Sequence, residues 1–276
     1  MTGRRAGRLR SPALLLVAAA CAVIVALTAC GQSSDTHGAV PAPAGSAYTL
    51  MQMNLCLSGL GACYREVAYP AVVKEAVALI RQARPAAVTF NEACRGDVSR
   101  IARGTGYHMR FSRAIYLGKP LPCINPGGRG LFGDAVLTKA AVKSTETRPF
   151  QAQAVIERRE WLCLTTRADM DVCTAHLATR SSDEVAANDA QCSELRALLS
   201  RRARARTVIF GGDVNRRPTC APAGFWIRTD RSAEQDPGLQ QVYGTGALHS
   251  PSAEVVPAAH TDHDILFVRA HLTARP

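Results

Sequence analysis

The stretch Thr207-Val-Ile-Phe-Gly-Gly-Asp-Val-Asn-Arg-Arg-Pro218 decides how the rest of the chain is interpreted. Residues 207–210 are β-branched or apolar and predict a buried strand. Gly211 and Gly212 then allow the backbone to approach another group closely. Asp213 and Asn215 lie two residues apart, so in an extended chain they point to the same side. A carboxylate beside an amide suits a phosphate and its attacking water, although a strand that ends in a polar turn has the same pattern.

Polar side chains also stand at the ends of the other apolar runs. The full set of such residues is Asn54, Glu92, His176, Asp213, Asn215, Asp262 and His263. Ligand sites in sheet proteins collect at strand ends. Burying an unpaired acid such as Glu92 is costly, so we expect it to be solvated or to hold a cation. The set offers oxygen ligands and imidazoles but no thiolate, which favours Mg²⁺ or Ca²⁺ over zinc.

Residues 1–30 predict a targeting segment, in which basic residues from Arg4 to Arg10 precede an apolar run from Ala13 to Leu27. The apolar run is too short and too rich in alanine for a spanning helix. It ends Leu27-Thr-Ala-Cys30, which resembles a bacterial lipobox with a lipidated cysteine; an ordinary secretory signal is the alternative. Residues 31–47 predict a flexible tether, and residues 48–276 the folded domain. We therefore expect an exported protein, either anchored through Cys30 to the outer face of the cell membrane or secreted.

The composition suits one large domain or two small ones, because 47% of the 276 residues are hydrophobic. The formal charge is +11, and removing four arginines with the targeting segment leaves +7. A basic surface attracts nucleic acid, anionic lipid or another polyphosphate, and does not choose among them.

Eight of the ten cysteines remain once Cys21 and Cys30 are set aside, and an even number in an exported chain predicts disulfides. No Cys-x-x-Cys pair occurs, which argues against a zinc site. Cys163 and Cys173 face each other in a predicted hairpin, within disulfide reach. Cys56 and Cys63 bracket a short loop. The pairs Cys94–Cys123 and Cys192–Cys220 follow by elimination.

The order of the apolar patterns predicts a mixed α/β sandwich. No glycine-rich nucleotide loop follows the first strand, which argues against a dinucleotide-binding fold. Pro70 is placed to start one helix, and Ser181-Ser-Asp-Glu184 predicts a capping box at the start of another. Residues 99–103 predict a single helical turn, and residues 226–241 carry few structural signals.

Six short motifs occur in order along residues 48–276. They are Met53-Asn54, Phe90-Asn-Glu92, Gly133-Asp-Ala-Val-Leu-Thr-Lys139, Thr174-Ala-His-Leu177, Gly212-Asp-Val-Asn215 and Thr261-Asp-His263. Together and in this order they resemble the motifs of the endonuclease/exonuclease/phosphatase superfamily, which has the deoxyribonuclease I-like fold.

This resemblance implies a four-layered α/β sandwich, with two mixed β-sheets packed face to face and helices outside. It also implies hydrolysis of phosphoesters with Mg²⁺, Ca²⁺ or Mn²⁺ as cofactor. His263 would be the general base, a role suited to an unperturbed pKa near about 6.5. The implied metal ligands are Glu92, Asn54 and Asp262. The implied substrate-binding residues are Asn54, Arg95, Asn215 and His176, and the implied catalytic residues are His263, Asp213, His176 and Asn215.

The chain departs from the family pattern in two places. The separate aspartate that orients the base histidine in many members has no clear equivalent, and Asp230, Asp236 and Asp264 are the candidates. Asp264-Ile-Leu-Phe267 itself resembles the strand that carries this aspartate, but too few residues follow it for another strand and motif. The aromatic phosphate contact is also missing, with Tyr116 as the nearest candidate.

These observations favour a nuclease-like phosphodiesterase that acts as a monomer. The expected partner is a phosphodiester substrate, with nucleic acid favoured and phospholipid as the alternative. A phospholipase C-like sphingomyelinase or a phosphoinositide phosphatase would share the fold. A catalytically inactive binding lipoprotein is the third interpretation, and the intact set of acids, amides and histidines argues against it.

Overall fold

Two mixed β-sheets lie at the centre of the protein, in a computed structural model that describes residues 45–60, 63 and 67–273. The strands in chain order are β1 (Ala47–Asn54), β2 (Ala87–Cys94), β3 (His108–Arg113), β4 (Ile115–Tyr116), β5 (Lys119–Pro120), β6 (Phe132–Thr138), β7 (Val142–Pro149), β8 (Glu157–Arg158), β9 (Glu160–Thr166), β10 (Met170–Ala175), β11 (Thr207–Asp213), β12 (Trp226–Thr229), β13 (Gln240–Gly244), β14 (Leu248–Val256) and β15 (Ile265–Leu272). The helices are α1 (Ala71–Ala83), α2 (Arg95–Thr105) and α3 (Val185–Ala203). The predicted targeting segment, most of the tether and Cys30 lie outside the described residues.

The strand order places the carboxyl ends of several strands at one edge of the sandwich. The first sheet has the order β14-β15-β1-β2-β6-β3, and the second has β12-β13-β11-β10-β9-β7. β1 pairs with β2 in parallel, and β10 pairs with β11 in parallel. β15 runs antiparallel to β1, so the loop before β15 returns to the end of β1. A smaller three-stranded sheet, β5-β4-β8, stands apart from both.

Apolar side chains fill three layers of contact between these elements. The inner faces of the two sheets meet at residues such as Leu50, Val136, Leu162 and Ile209. Helices α1 and α2 cover the outer face of the first sheet, and α3 covers the outer face of the second. This arrangement confirms the predicted sandwich with helices outside. None of the helices in the described part is long and apolar enough to cross a membrane.

The glycines of β11 permit the close packing that the sequence predicted. All seven residues of this strand are buried, including Asp213. A Cβ atom at Gly212 would lie 2.3 Å from the carbonyl oxygen of Ala175 on β10, and one at Gly211 would lie 2.5 Å from Thr89 Oγ1 on β2. Contacts this short cannot accommodate a side chain, so only glycine lets β11 carry Asp213 this deep between the two sheets.

All four predicted disulfides are confirmed: Cys56–Cys63, Cys94–Cys123, Cys163–Cys173 and Cys192–Cys220. Cys163 and Cys173 are directly opposite each other in the β9–β10 hairpin. Cys56–Cys63 closes the loop after β1, Cys94–Cys123 ties a loop to the end of β2, and Cys192–Cys220 ties a loop to α3.

Two local predictions were wrong. The helical turn predicted at residues 99–103 is the middle of the longer helix α2, because the residues on both sides of it also adopt helical geometry. Residues 226–241, which carried few sequence signals, contain β12 and the start of β13; β13 pairs with β11, and β12 pairs with β13 at the edge of the sheet. Ser181 and Glu184 do not form a capping box; instead, the Glu184 carboxylate accepts a hydrogen bond from the Thr179 amide at 3.1 Å.

Candidate active site

The strand ends of the two sheets bring together the polar residues that the sequence singled out. Asn54 ends β1, Glu92 lies near the end of β2, and Asp213 ends β11. His176 directly follows β10, and Asp262 and His263 precede β15. Three contacts between these residues join one sheet to the other or to the loop before β15: Asn54 with Asp213, His176 with Glu92, and His263 with Asp213.

Asn54 and Asp213 form the buried centre of this cluster. The Asn54 side chain donates through Nδ2 to Asp213 Oδ2 at 3.1 Å and to Glu92 Oε1 at 3.1 Å. The backbone amide of Asp213 donates to Asn91 Oδ1 at 2.7 Å. Burial alone would raise the pKa of Asp213, but the hydrogen bond and charge of His263 hold this pKa well below its usual range. Asp213 is therefore an ionised carboxylate fixed between the two sheets.

Glu92 sits on a distorted part of β2. The register of β2 against β6 shifts between Phe90 and Ala93, and Glu92 has a φ of 52°, which is costly for a residue with a side chain. Such distortion is common where a side chain must be aimed into a functional site. Burial raises the pKa of Glu92 to about 7, against the opposing charge of Arg159.

His263 lies between two carboxylates. Its Nδ1 is 2.9 Å from Asp262 Oδ1, and its Nε2 is 3.3 Å from Asp213 Oδ2. Burial disfavours the imidazolium, but the two carboxylates outweigh it and raise the pKa of His263 to about 11. The expectation of an unperturbed pKa was therefore wrong for the protein without a bound cation, because the sequence did not reveal that both ring nitrogens face acids.

Asp262, the residue directly before His263 in the chain, is the acid that orients its ring. The three candidates from the sequence do not have this role. Asp264 accepts instead from the Glu234 and Ala258 amides, and Asp230 from the Gly238 and Gln240 amides. Asp236 is exposed. The antiparallel pairing of β15 with β1 also places Asp264 at the start of the final strand, so the alternative alignment of Asp264 with the missing strand was wrong.

His176 and Asn215 form a second part of the site. Asn215 Nδ2 is 2.9 Å from His176 Nε2 and donates to the Leu177 carbonyl at 2.9 Å. Arg159 Nη1 bonds to His176 Nδ1, so both ring nitrogens of His176 face N–H donors, from Arg159 and from Asn215. Burial and the Arg159 charge lower the pKa of His176 well below its ordinary value. A neutral imidazole thus lies between a guanidinium and an amide, both of which are N–H donors that a phosphoryl oxygen can accept from.

Arg159 and Asp134 complete the site, and sequence reasoning assigned neither a role. Arg159 is only 8% exposed, pairs with Glu157 at 3.0 Å and interacts electrostatically with Glu92, Asp134 and Asp213. Asp134 accepts from Asn91 Nδ2 at 2.9 Å, and burial raises its pKa to about 7. The only sequence signal for Asp134 was its place in the Gly133–Lys139 motif. Arg159 had no such signal, because it lies in a run of charged residues.

Two predicted residues lie apart from this cluster. Arg95 does not pair with Glu92; its exposed side chain lines a groove of about 550 Å³ with Arg110, Arg113 and Glu160. Tyr116 is half-buried on β4, opposite Glu157 of β8. Contact of Arg95 and Tyr116 with substrate stays a prediction.

The donor set around Glu92 and Asp262 fits a hard divalent cation. Glu92 Oε2 lies 3.2 Å from Cys63 Sγ, and Asp262 Oδ2 lies 3.1 Å from Cys56 Sγ. These sulfurs are joined in a disulfide, so they have no proton to donate and are poor metal ligands. Among the described residues, each carboxylate therefore keeps one oxygen without a hydrogen-bond donor. Carboxylate and amide oxygens are the ligands that Mg²⁺ and Ca²⁺ prefer.

A sequence model of the Endonuclease/Exonuclease/phosphatase family matches residues 63–263, which is more than half of the chain. The chain belongs to this family. Its members hydrolyse phosphoesters and generally use divalent metals, which agrees with the donor set described above. The match confirms the resemblance seen in the motifs. No curated protein matches the sequence.

Solved structures of other family members have a similar fold. An endonuclease/exonuclease/phosphatase from Beutenbergia cavernae is 18% identical, with a TM-score of 0.61 over 83% of this chain and 72% of that chain. The human nocturnin catalytic domain with bound sulfate is 14% identical, with a TM-score of 0.62 over 82% and 95% of the two chains. D. rerio TDP2 complexed with a single-strand DNA product is 15% identical, with a TM-score of 0.54 over 82% and 99%.

The raised pKa values of two buried acids predict how the free energy of unfolding depends on pH. Burial raises the pKa of Glu92 and of Asp134 to about 7, above their values in the unfolded chain, so the folded state retains protons that the unfolded state releases. The stability that these two protonated carboxyl groups contribute to the folded state is fully present below about pH 4 and is lost as the pH rises through about 7. In EDTA, we expect the free energy of unfolding to fall by a few kcal/mol between about pH 5 and pH 8, at about 1.4 kcal/mol per pKa unit.

Denaturant unfolding in EDTA across this pH range tests the prediction, with Asp134→Asn as the matched variant. Asparagine retains an oxygen that can accept from Asn91 and removes the titrating group, so the slope against pH should be shallower. A free energy of unfolding that rises with pH, or an unchanged slope in Asp134→Asn, would contradict these assignments.

Proposed function

We propose that this protein is a metal-dependent phosphodiesterase of the nuclease-like kind. The observation that carries the proposal is the position of His263, whose Nδ1 lies 2.9 Å from Asp262 and whose Nε2 lies 3.3 Å from the ionised Asp213. Glu92 is near enough to interact electrostatically with both Asp262 and His263. Two carboxylates that can bind a cation, beside a histidine that can accept a proton, suit the hydrolysis of a phosphodiester by water.

The side chains have distinct roles in this proposal. Glu92, Asp262 and Asn54 would hold the cation, with Mg²⁺ as the first candidate and Ca²⁺ or Mn²⁺ as alternatives. When bound, the cation supplies positive charge that stabilises the phosphoryl oxygens and competes with the His263 proton for Asp262, which lowers the pKa of His263. His263 would then accept the proton of the attacking water through Nε2, while Asp262 holds the ring through Nδ1. Asp213 and Asn215 orient water and phosphate.

The phosphate is held by N–H donors in this scheme. Asn215 and the buried Arg159, which contact the two ring nitrogens of His176, would donate to the phosphoryl oxygens as charge develops on them. Fixed donors in a water-poor site stabilise such charge without reorganising, so they act mainly on the transition state. Substrate binding by Arg95, in the groove beside β3, is part of the same proposal.

Nucleic acid is the favoured substrate, and the single-strand DNA product bound to D. rerio TDP2 supports this choice. Phospholipid is the second candidate, favoured by exposed apolar side chains next to the site. The purified protein should hydrolyse at least one member of a panel of plasmid DNA, RNA and phospholipid vesicles in Mg²⁺. His263→Ala measured in parallel excludes a contaminating enzyme. No hydrolysis of any substrate would leave only the binding interpretation.

We also propose that the protein is an exported, membrane-anchored monomer, on the basis of the lipobox at Leu27–Cys30. Cys30→Ala should release the protein from the membrane fraction or block its processing, because the modified thiol is removed. Cell fractionation and intact mass of the mature chain measure this result, with Cys21→Ala as the matched control. Unchanged processing and membrane association of Cys30→Ala would rule out lipidation at this cysteine.

A further inference from the structure

Exposed large apolar side chains are concentrated beside the candidate active site. In the described part of the chain they are Val155 (89% exposed), Leu117 (68%), Ile156 (44%) and Leu60 (39%). The first three lie directly next to strands of the small sheet β5-β4-β8, and there the Leu117 amide donates to the Ile156 carbonyl at 2.8 Å. We call Leu117, Val155 and Ile156 the apolar rim. Isolated exposed apolar residues are ordinary, but a contiguous group usually marks an interaction surface.

The apolar rim is connected directly to the site. Ile156 precedes β8, and β8 leads into Arg159, which bonds to His176. Leu60 lies on the loop closed by the Cys56–Cys63 disulfide, and Cys63 contacts Glu92. The exposed apolar side chains are therefore carried by segments that also contact the candidate catalytic residues, and whatever covers the rim lies at the mouth of the site.

The charges around the rim are positive. Lys119 is paired opposite Tyr116, Arg158 is paired opposite Ile115, and both cations are exposed. Arg113, two residues before β4, is exposed as well. The acid of the small sheet, Glu157, is neutralised by its ion pair with Arg159 at 3.0 Å. A group of aliphatic side chains with a cationic border complements a surface that is apolar within and anionic at its edge.

We propose that the apolar rim docks onto an anionic lipid bilayer. Burial of aliphatic side chains at the boundary between headgroups and acyl chains lowers the free energy of binding, and each flanking Lys or Arg is attracted by anionic headgroups. Single-stranded nucleic acid is bound mainly through aromatic rings on which bases stack, and protein hot spots are enriched in Trp, Tyr and Arg. The rim consists of Leu, Val and Ile, so the bilayer is the partner that fits its chemistry. Docking in this way directs the candidate site at the headgroup phosphates.

Fluorescence at the rim itself tests this proposal on the full chain, with vesicles of phosphatidylglycerol and brominated phosphatidylcholine in EDTA. Val155→Trp places a reporter on the rim, and Ala168→Trp places a matched reporter in the exposed β9–β10 turn, at the opposite end of β9 from Arg159. An N-terminal anchor would tether both variants equally. We expect a blue shift and quenching by bromolipid for Val155→Trp but not for Ala168→Trp, and a loss of both effects when Leu117→Ser and Ile156→Ser are added.

The proposal also predicts weaker quenching in high salt and with vesicles of phosphatidylcholine lipids alone. Equal quenching of the two reporters, or none for either, would overturn it. A spectral change of Val155→Trp with single-stranded oligonucleotide and not with vesicles would also overturn it, in favour of a nucleic-acid contact. Because docking is measured in EDTA and without turnover, these results stand apart from any failure to detect phosphodiesterase activity.

Discussion

Replacing His263 with alanine should lower kcat for phosphodiester hydrolysis by about 10²–10⁴-fold, the usual contribution of a general base. His263 is the one imidazole whose Nε2 lies within 3.3 Å of the ionised Asp213 and whose other nitrogen is held by Asp262, among the residues that the structure describes. The loss should appear mainly in kcat, because the proton is transferred in the transition state.

Two further variants separate this effect from a loss of folding. His260→Ala removes a histidine from the same loop that, within the described part of the chain, forms no ion pair with the acids named above, and it should retain most of the activity. His263→Gln keeps a side-chain N–H for one of the two carboxylates but cannot accept the proton, so it should fold better than His263→Ala and be as inactive. Near wild-type rates for His263→Ala would remove His263 from the mechanism.

Replacing Glu92 with glutamine should have the second large effect, on the metal requirement. Glutamine can still accept the hydrogen bond from Asn54 Nδ2, but it lacks the charge that attracts a cation. Losing even an indirect partner of a metal typically costs about 10–100-fold in affinity, so loss of a ligand should raise the Mg²⁺ concentration for half-maximal rate by at least that much. The rate at saturating Mg²⁺ should also fall.

The thermal stability of Glu92→Gln provides a second test of the role of Glu92. Burial raises the pKa of Glu92 to about 7, so its ionised form is unfavourable in the folded protein above that pH. In EDTA at about pH 8, Glu92→Gln should therefore unfold at a higher temperature than the wild type. Glu254→Gln, at an exposed position on β14, is the control for loss of one charge. Unchanged Mg²⁺ dependence and unchanged stability would contradict the placement of Glu92 in a cation site.

The sequence predicted the central strands and the positions at their ends because those features are local. The apolar run at Thr207–Phe210, the two glycines and Asp213 appear in β11 as expected, since burial on both faces leaves little choice of residue. The disulfides were also predictable, because the hairpin and the short loop left few pairings.

Arg159 shows what the sequence could not reveal. Arg158 and Arg159 are adjacent, yet one is exposed and the other reaches His176. Neighbouring residues of an extended segment point to opposite sides, and only the register of β9 and β10 decides which arginine enters the site. The orienting role of Asp262 was hidden for a related reason: the search was for a distant aspartate, whereas the structure uses a neighbouring one.

The Cys56–Cys63 disulfide illustrates a second limit. Its closure was predicted from the loop length, but its contact with Glu92 and Asp262 arises where this loop meets β2 and the loop before β15, which are far apart in sequence. The apolar rim likewise depends on the pairing of β4 with β8, two-residue strands with no sequence pattern of their own.

The Mg²⁺ dependence of hydrolysis on one active phosphodiester tests the central claim most directly. Wild type, Glu92→Gln and His263→Ala would be stripped of metal with EDTA and then titrated with Mg²⁺ while the rate is recorded. We predict no measurable rate in EDTA, full recovery of the wild type, recovery of Glu92→Gln only at much higher Mg²⁺, and little recovery of His263→Ala at any concentration. Full activity in excess EDTA, or wild-type titration curves for both variants, would contradict a metal-dependent mechanism built on these residues.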